Sequence, residues 1–129
     1  MKKRLILFSH GSRDPRWRQP FEELFHALQG ALGDDAVRNG YMEVASPTLD
    51  DLAAEAKEQG FHELVLLPLF MAGGGHVAHD IPRLVRAAEQ AHPPVRIRIL
   101  PAIGEHPKIA EFIARIAADA FRESDNDAG

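Results

Sequence analysis

The hydrophobic positions of this chain alternate between two periods. Arg4 to Ser9 is a short continuous apolar run, after which Phe21, Leu24, Phe25, Leu28 and Leu32 recur at helical spacing until Gly30 and Gly33 close the segment. Ala36 to Glu43 reads as a weaker strand, diluted by Arg38, Asn39 and Gly40. Ser46-Pro47 then predicts a capped helix start, carrying Leu49, Leu52, Ala53 and Ala56 as far as Gly60. Glu63 to Phe70 is the most continuously apolar strand, and the helix predicted from about Pro82 places Leu84, Val85 and Ala88 inward before His92-Pro93-Pro94 stops it. Val95 to Leu100 alternates apolar residues with Arg96 and Arg98. A last helix from about Pro107 carries Ile109, Phe112, Ile113, Ile116, Ala117 and Ala120 on one stripe.

Four strand-helix units predict an α/β fold with a four-stranded parallel sheet and helices on both faces. Strands covered on both faces read as unbroken apolar runs, so the segments around Ile6 and Leu66 are expected at the centre, and those at Ala36–Glu43 and Val95–Leu100 at the edges. The strand order is then 2-1-3-4, with its topological switch point between strands 1 and 3. Ligands of open α/β sheets bind there, outside the carboxyl ends of the strands. The expected organisation is one domain over residues 1–122, followed by a disordered tail, residues 123–129, with nothing to bury.

Composition narrows the partners. A chain of 129 residues with 45% hydrophobic side chains can form a core alone. It has no cysteine, which excludes disulfides and thiolate metal sites and suits a reducing, cytoplasmic location. The basic Met1–Arg4 start precedes an apolar run far too short for a signal peptide or a membrane span, so no membrane partner is expected. A net charge of -4 argues against a nucleic-acid partner, and any anionic ligand must be met by local positive charge.

The candidate chemistry gathers at the switch point. His10 directly follows the first strand, and His76 follows the third across Met71, Ala72, Gly73, Gly74 and Gly75, a loop whose glycines permit a sharp turn and a close approach to a ligand. Glu43, at the end of strand 2, is the nearest acidic residue to join them. Two imidazoles and a carboxylate with open positions suit a labile divalent metal such as Co, Ni, Fe or Zn, and the same groups accept protons near neutral pH. Plainer roles compete: His10 as a loop residue capping the next helix, Glu43 as an edge-strand surface carboxylate, Asp80 as a helix cap ahead of Pro82, although His79 and Asp80 could also extend a metal site. His26, His62 and His92 read as surface residues. The glycines could instead cradle phosphate, but neither GxGxxG nor GxxxxGK[ST] is present.

Four segments, in this order and spacing, carry a resemblance over nearly the whole chain: SHGSRDP (Ser9–Pro15), YMEVASPTL (Tyr41–Leu49), PLFMAGGGHVAHDIP (Pro68–Pro82) and IGEHP (Ile103–Pro107). Together they resemble the short CbiX-type sirohydrochlorin chelatases of the class II tetrapyrrole metal chelatases. The resemblance implies insertion of a divalent metal, most often Co2+ with Fe2+ or Ni2+ as alternatives, into sirohydrochlorin for cobalamin or siroheme-type cofactors, without an organic cofactor. It implies that His10 and His76 bind the metal, that His10 accepts protons, that Glu43 supports them, and that Met71 to Gly75 line the macrocycle. Arg13 is then the first candidate, ahead of Arg16 and Arg18 in a loop, to meet the substrate's carboxylates. Trp17 and Phe70 either add flat apolar surface to the cleft or belong to the core. Three glycines in a row, and His79 where the family more usually has a charged residue, are local departures. Because short chains of this kind look like half of longer two-lobed chelatases, a homodimer is expected to rebuild the cleft around a tetrapyrrole. A carrier that presents the same histidines without turnover is one alternative. A histidine phosphatase is another, disfavoured because Ser9 stands where that family's motif has Arg.

Overall fold

A computed structural model describes residues 2–75 and 77–127, with side chains to residue 123. The elements are β1 (Lys3–Ser9), α1 (Pro15–Leu32), β2 (Val37–Tyr41), α2 (Leu49–Glu58), β3 (Glu63–Pro68), α3 (Val77–Ala91), β4 (Arg96–Ile99), a short 3₁₀ turn (Ile103–Glu105) and α4 (Pro107–Asp127). All strand pairs are parallel, in the order β2-β1-β3-β4, as the burial pattern of the strands predicts. Among the described residues no helix is long and apolar enough to cross a membrane.

One face of the sheet holds the main core. Ile6 and Phe8 of β1 and Leu64 and Leu66 of β3 are sealed beneath Leu52 and Ala56 of α2 and Ile81, Val85 and Ala88 of α3. The alternate residues Leu5, Leu7, Val65 and Leu67 point to the opposite face, where α1 lies. There the Asn39 amide donates to the Phe21 carbonyl at 3.4 Å. Arg4 is the largest fully buried residue. It donates to Glu55 at 2.9 Å, Gln59 at 2.8 Å and the Asp35 carbonyl at 2.7 Å, with its guanidinium 3.8 Å from the centre of the Phe61 ring. Burial weakens its hold on its proton relative to a free arginine, but the paired carboxylate keeps the charge satisfied.

The helix starts depart from the sequence expectations. α1 begins at Pro15 rather than near Phe21, because Asp14 caps it by accepting from the Arg16 N–H at 2.9 Å and Pro15 occupies a position that needs no N–H. Arg16 and Arg18 therefore stand on a helix, not in a loop. α2 starts after Thr48 rather than at Ser46-Pro47: the Thr48 hydroxyl accepts from the Asp51 N–H while the Asp51 carboxylate accepts from the Thr48 N–H. α3 starts at Val77, so Pro82 lies inside it and Asp80 is in its first turn, paired with Arg83 at 3.5 Å, and does not cap it. β2 ends at Tyr41, leaving Glu43 in the following loop. α4 runs past residue 122, the expected end of the domain, to Asp127. Phe112, Ile113 and Ile116 of its apolar stripe are exposed, as is Phe121 nearer its end.

Candidate metal and tetrapyrrole site

The loops after the four strands form one lip of the sheet, and β1, between β2 and β3, places His10 at its centre. The parallel pairing of β1 and β2 continues beyond the strands, since the Met42 N–H donates to the Ser9 carbonyl at 2.9 Å and the Glu43 N–H to the His10 carbonyl at 3.0 Å. This carries Glu43 alongside His10. The close crossing depends on Gly11, whose backbone lies at φ +103 and whose missing side chain would overlap the Glu43 carbonyl.

The result is a paired imidazole and carboxylate. His10 Nε2 stands 2.8 Å from Glu43 Oε1, and His10 Nδ1 stands 3.2 Å from the Gly11 carbonyl oxygen; both side chains are about half exposed. Both ring nitrogens thus face oxygen acceptors. A neutral imidazole has one N–H, so the arrangement is complete only when the ring carries a second proton or when Nε2 and the carboxylate share a cation. The position between Nε2 and the carboxylate can thus be filled by either a proton or a divalent cation.

The glycine loop reaches the same lip from β3. Met71 is exposed, Ala72 and Gly74 border solvent, and Gly75 turns at φ +65 before its carbonyl accepts from the Ala78 N–H at 3.2 Å to begin α3. His76 lies outside the described residues. His79 is exposed on the first turn of α3. Among the described residues no three His, Asp or Glu side chains gather as a metal cluster, and of the candidate site residues the structure brings together His10 and Glu43.

Glu105 and Gly104 support this loop, and the sequence reading assigned neither a role. Glu105 Oε1 accepts from the Gly73 N–H at 3.1 Å, and the Gly104 N–H donates to the Phe70 carbonyl at 3.0 Å. A side chain at Gly104 would run into the Met71 backbone. The signal was present in the glycine-acid pair of IGEHP, but nothing along the chain says which loop it touches.

The arginines separate by their bonds. Arg18 donates from Nε and Nη2 to the Ser12 carbonyl, both at 3.3 Å, so it braces the loop after His10. Arg16 is turned onto Asp14, whose carboxyl it holds below the usual carboxylate range. Arg13 is exposed and has no hydrogen bond or ion pair among the described residues, which leaves its guanidinium available at the lip. Trp17 of α1 lies tilted against Phe21, ring centres 4.5 Å apart, and 6.3 Å from Tyr41, and Phe70 packs against the core.

A four-stranded parallel sheet of order β2-β1-β3-β4 with an imidazole-carboxylate pair at its switch point is an open α/β protein whose ligand site lies at the carboxyl ends of its strands. The CbiX family model matches residues 4–120, and the chain belongs to the CbiX family. It is 35% identical over 82 residues to a sirohydrochlorin cobaltochelatase of Methanopyrus kandleri, covering 63% of this chain and 57% of that one. A second, from Methanocaldococcus jannaschii, is 34% identical over 88 residues, covering 68% and 62%. The match thus spans less than two thirds of the length of these two relatives. A candidate cobalamin (vitamin B12) biosynthesis CbiX protein from Marinobacter aquaeolei superposes with a TM-score of 0.85 at 32% identity, covering 97% of this chain and 99% of the other. The fold is also that of a sirohydrochlorin chelatase, SirB, from Bacillus subtilis, solved with cobalt: TM-score 0.79, 22% identity, 92% of this chain and 51% of that one.

Proposed function

We propose that this chain is a sirohydrochlorin chelatase that inserts a divalent metal, Co2+ before Fe2+ or Ni2+, into the macrocycle for cobalamin or siroheme-type cofactors. The observation that carries the reading is the 2.8 Å contact of His10 Nε2 with Glu43 Oε1 on a ring whose other nitrogen is already committed to the Gly11 carbonyl. Incoming M2+ takes the place of the shared proton between imidazole and carboxylate. As the metal passes to four pyrrole nitrogens, two N–H protons leave the macrocycle; the vacated His10 and Glu43 are bases within reach to keep one, which restores the proton the metal displaced, and the other goes to water. The balance is one M2+ bound and two H+ released. His76, by the family resemblance, supplies the second imidazole, Met71 to Gly75 the floor under the ring, and Arg13 a cation for a peripheral carboxylate.

The working unit in this reading is a cytoplasmic homodimer. The chain matches about half of the SirB chain, so two copies supply the second lip that a disc-shaped tetrapyrrole needs. The experiment is anaerobic insertion into sirohydrochlorin followed by absorbance, with Co2+, Fe2+ and Ni2+ in separate runs. His10→Ala and Glu43→Gln should each lower the rate at least tenfold while far-UV circular dichroism stays that of the parent. Rates equal to the parent in both variants would overturn the reading.

A further inference from the structure

The turn after Glu43 carries a residue that a plain turn would not. Tyr41 closes β2, and its N–H donates to the Pro47 carbonyl at 3.0 Å, so Met42 to Ser46 leave the strand and return to it as one short loop. The loop turns at Val44, whose backbone lies at φ +54. Among the described residues Val44 is the one non-glycine at positive φ; Gly11, Gly33, Gly60 and Gly75 hold the other such positions. A β-branched side chain is a poor choice there, because its Cβ crowds the neighbouring carbonyl, and glycine or asparagine would close the same turn at less cost.

What valine adds is its side chain, and the fold leaves that side chain in solvent. Met42, two residues earlier, packs against the core, whereas Val44 is 51% exposed. Met71, in the loop after β3, is 65% exposed. The other large apolar residues with comparable exposure among the described residues belong to α1, β4 and α4, so Val44 and Met71 are the pair standing in the loops on either side of β1. Those loops leave β2 and β3, which are two inter-strand steps apart, about 10 Å. His10 emerges from β1 between them with Glu43 bonded to it. An apolar side chain thus stands on each side of the imidazole-carboxylate pair.

We propose that Val44 is a substrate-positioning residue: with Met71 it bears the apolar face of the tetrapyrrole, one side chain on each side of His10 and Glu43, so that the ring nitrogens lie over the metal. This rests on the chelatase reading above and adds to it a residue outside the metal pair and the glycine loop. The chemistry matches region by region. Sirohydrochlorin carries its carboxylates on the rim, where Arg13 meets them, and its centre offers a flat apolar surface around four nitrogens, which suits apolar side chains beside a few placed polar groups. The strained backbone at Val44 persists because the loop is pinned at both feet, by the Tyr41 N–H on the Pro47 carbonyl and by the Glu43 N–H on the His10 carbonyl, each at 3.0 Å. A strained but pinned valine keeps its side chain in one place, a service that glycine cannot give.

The test is an anaerobic titration of the full chain with metal-free sirohydrochlorin, followed by absorbance. Val44→Asn keeps a residue that accepts left-handed backbone but removes the apolar surface, and it should weaken binding roughly five- to tenfold, the effect of losing the exposed part of one valine side chain. The same factor should appear in KM for sirohydrochlorin and not in kcat, since support of the ring acts alike in ground and transition states. Val44→Leu should bind within about twofold of the parent. Val44→Gly should bind as weakly as the asparagine variant while melting no lower than the parent, because it relieves the backbone strain. Cobalt affinity in the absence of tetrapyrrole, by titration calorimetry, should be that of the parent in all three variants. Parent-like binding by Val44→Asn would overturn the inference and leave the chelatase reading standing. So would a fall in cobalt affinity equal to the loss of tetrapyrrole binding, which would mean that Val44 only holds Glu43 in place. A parent that does not bind metal-free sirohydrochlorin would overturn both readings.

Discussion

Replacing Gly11 by alanine should both destabilise the protein and separate His10 from Glu43. A residue with a Cβ at φ +103 costs about 1–2 kcal/mol in left-handed backbone conformation. The new methyl would also overlap the Glu43 carbonyl, so the Glu43 segment must withdraw and strain its 3.0 Å N–H bond to the His10 carbonyl, a loss of about 1 kcal/mol. Alanine restricts the unfolded chain and returns roughly 0.5 kcal/mol. The net expectation is about 2 kcal/mol, a lowering of Tm by roughly 6–10 °C for a domain of this size. Thermal melts at 222 nm measure it, and cobalt binding by titration calorimetry reads the site: the variant should bind more weakly even at temperatures where it is fully folded. The destabilisation argument fails if Gly11→Ala melts within 2 °C of the parent. Parent-like cobalt affinity in the folded variant would show that the Gly11 crossing does not hold the pair together.

Glu105→Ala should slow insertion roughly tenfold, the effect of freeing the Gly73 N–H from a charged acceptor worth about 1.5 kcal/mol, with little change in Tm; Glu105→Gln should recover most of the rate, and a rate in Glu105→Ala equal to the parent would remove its role. Tyr41 is the chain's single tyrosine, and its burial raises the phenol above the usual 10.0, so absorbance at 295 nm should titrate later in the folded protein than in urea. Because the unfolded chain ionises first, the stability this contributes is complete below pH 10 and is lost as pH rises through the folded value; coincident titrations in the two states would contradict it. Leu66→Ala, at a site with no solvent exposure between α2 and α3, should cost about 2–5 kcal/mol by denaturant titration, and a cost under 1 kcal/mol would mean the core can collapse around the cavity.

Much of this was legible in the chain because sheet order follows from which strands are apolar on both faces. The runs around Ile6 and Leu66 were central for that reason, and the switch-point rule then brought His10 and Glu43 to one lip. Helix starts were less legible. Apolar periodicity locates the buried part of a helix, while its first turn is set by caps: Asp14 ahead of Pro15, and the Thr48–Asp51 reciprocal pair, both lie outside the apolar stripe. The stripe on α4 is legible as a stripe and no further. Periodicity says that a helix face is to be covered, but not by which surface or by which chain, and here its own sheet does not cover it. The tie from Glu105 to Gly73 joins residues 32 positions apart, a contact that local patterns do not encode.

The root of α4 and the glycine loop are one bonded unit, with Glu105 on Gly73 and Gly104 against Met71. A ligand settling on the loop and a strain applied along α4 therefore act on the same few bonds. Thermodynamic linkage then works in both directions, so whatever shifts one end shifts the other by an equal factor.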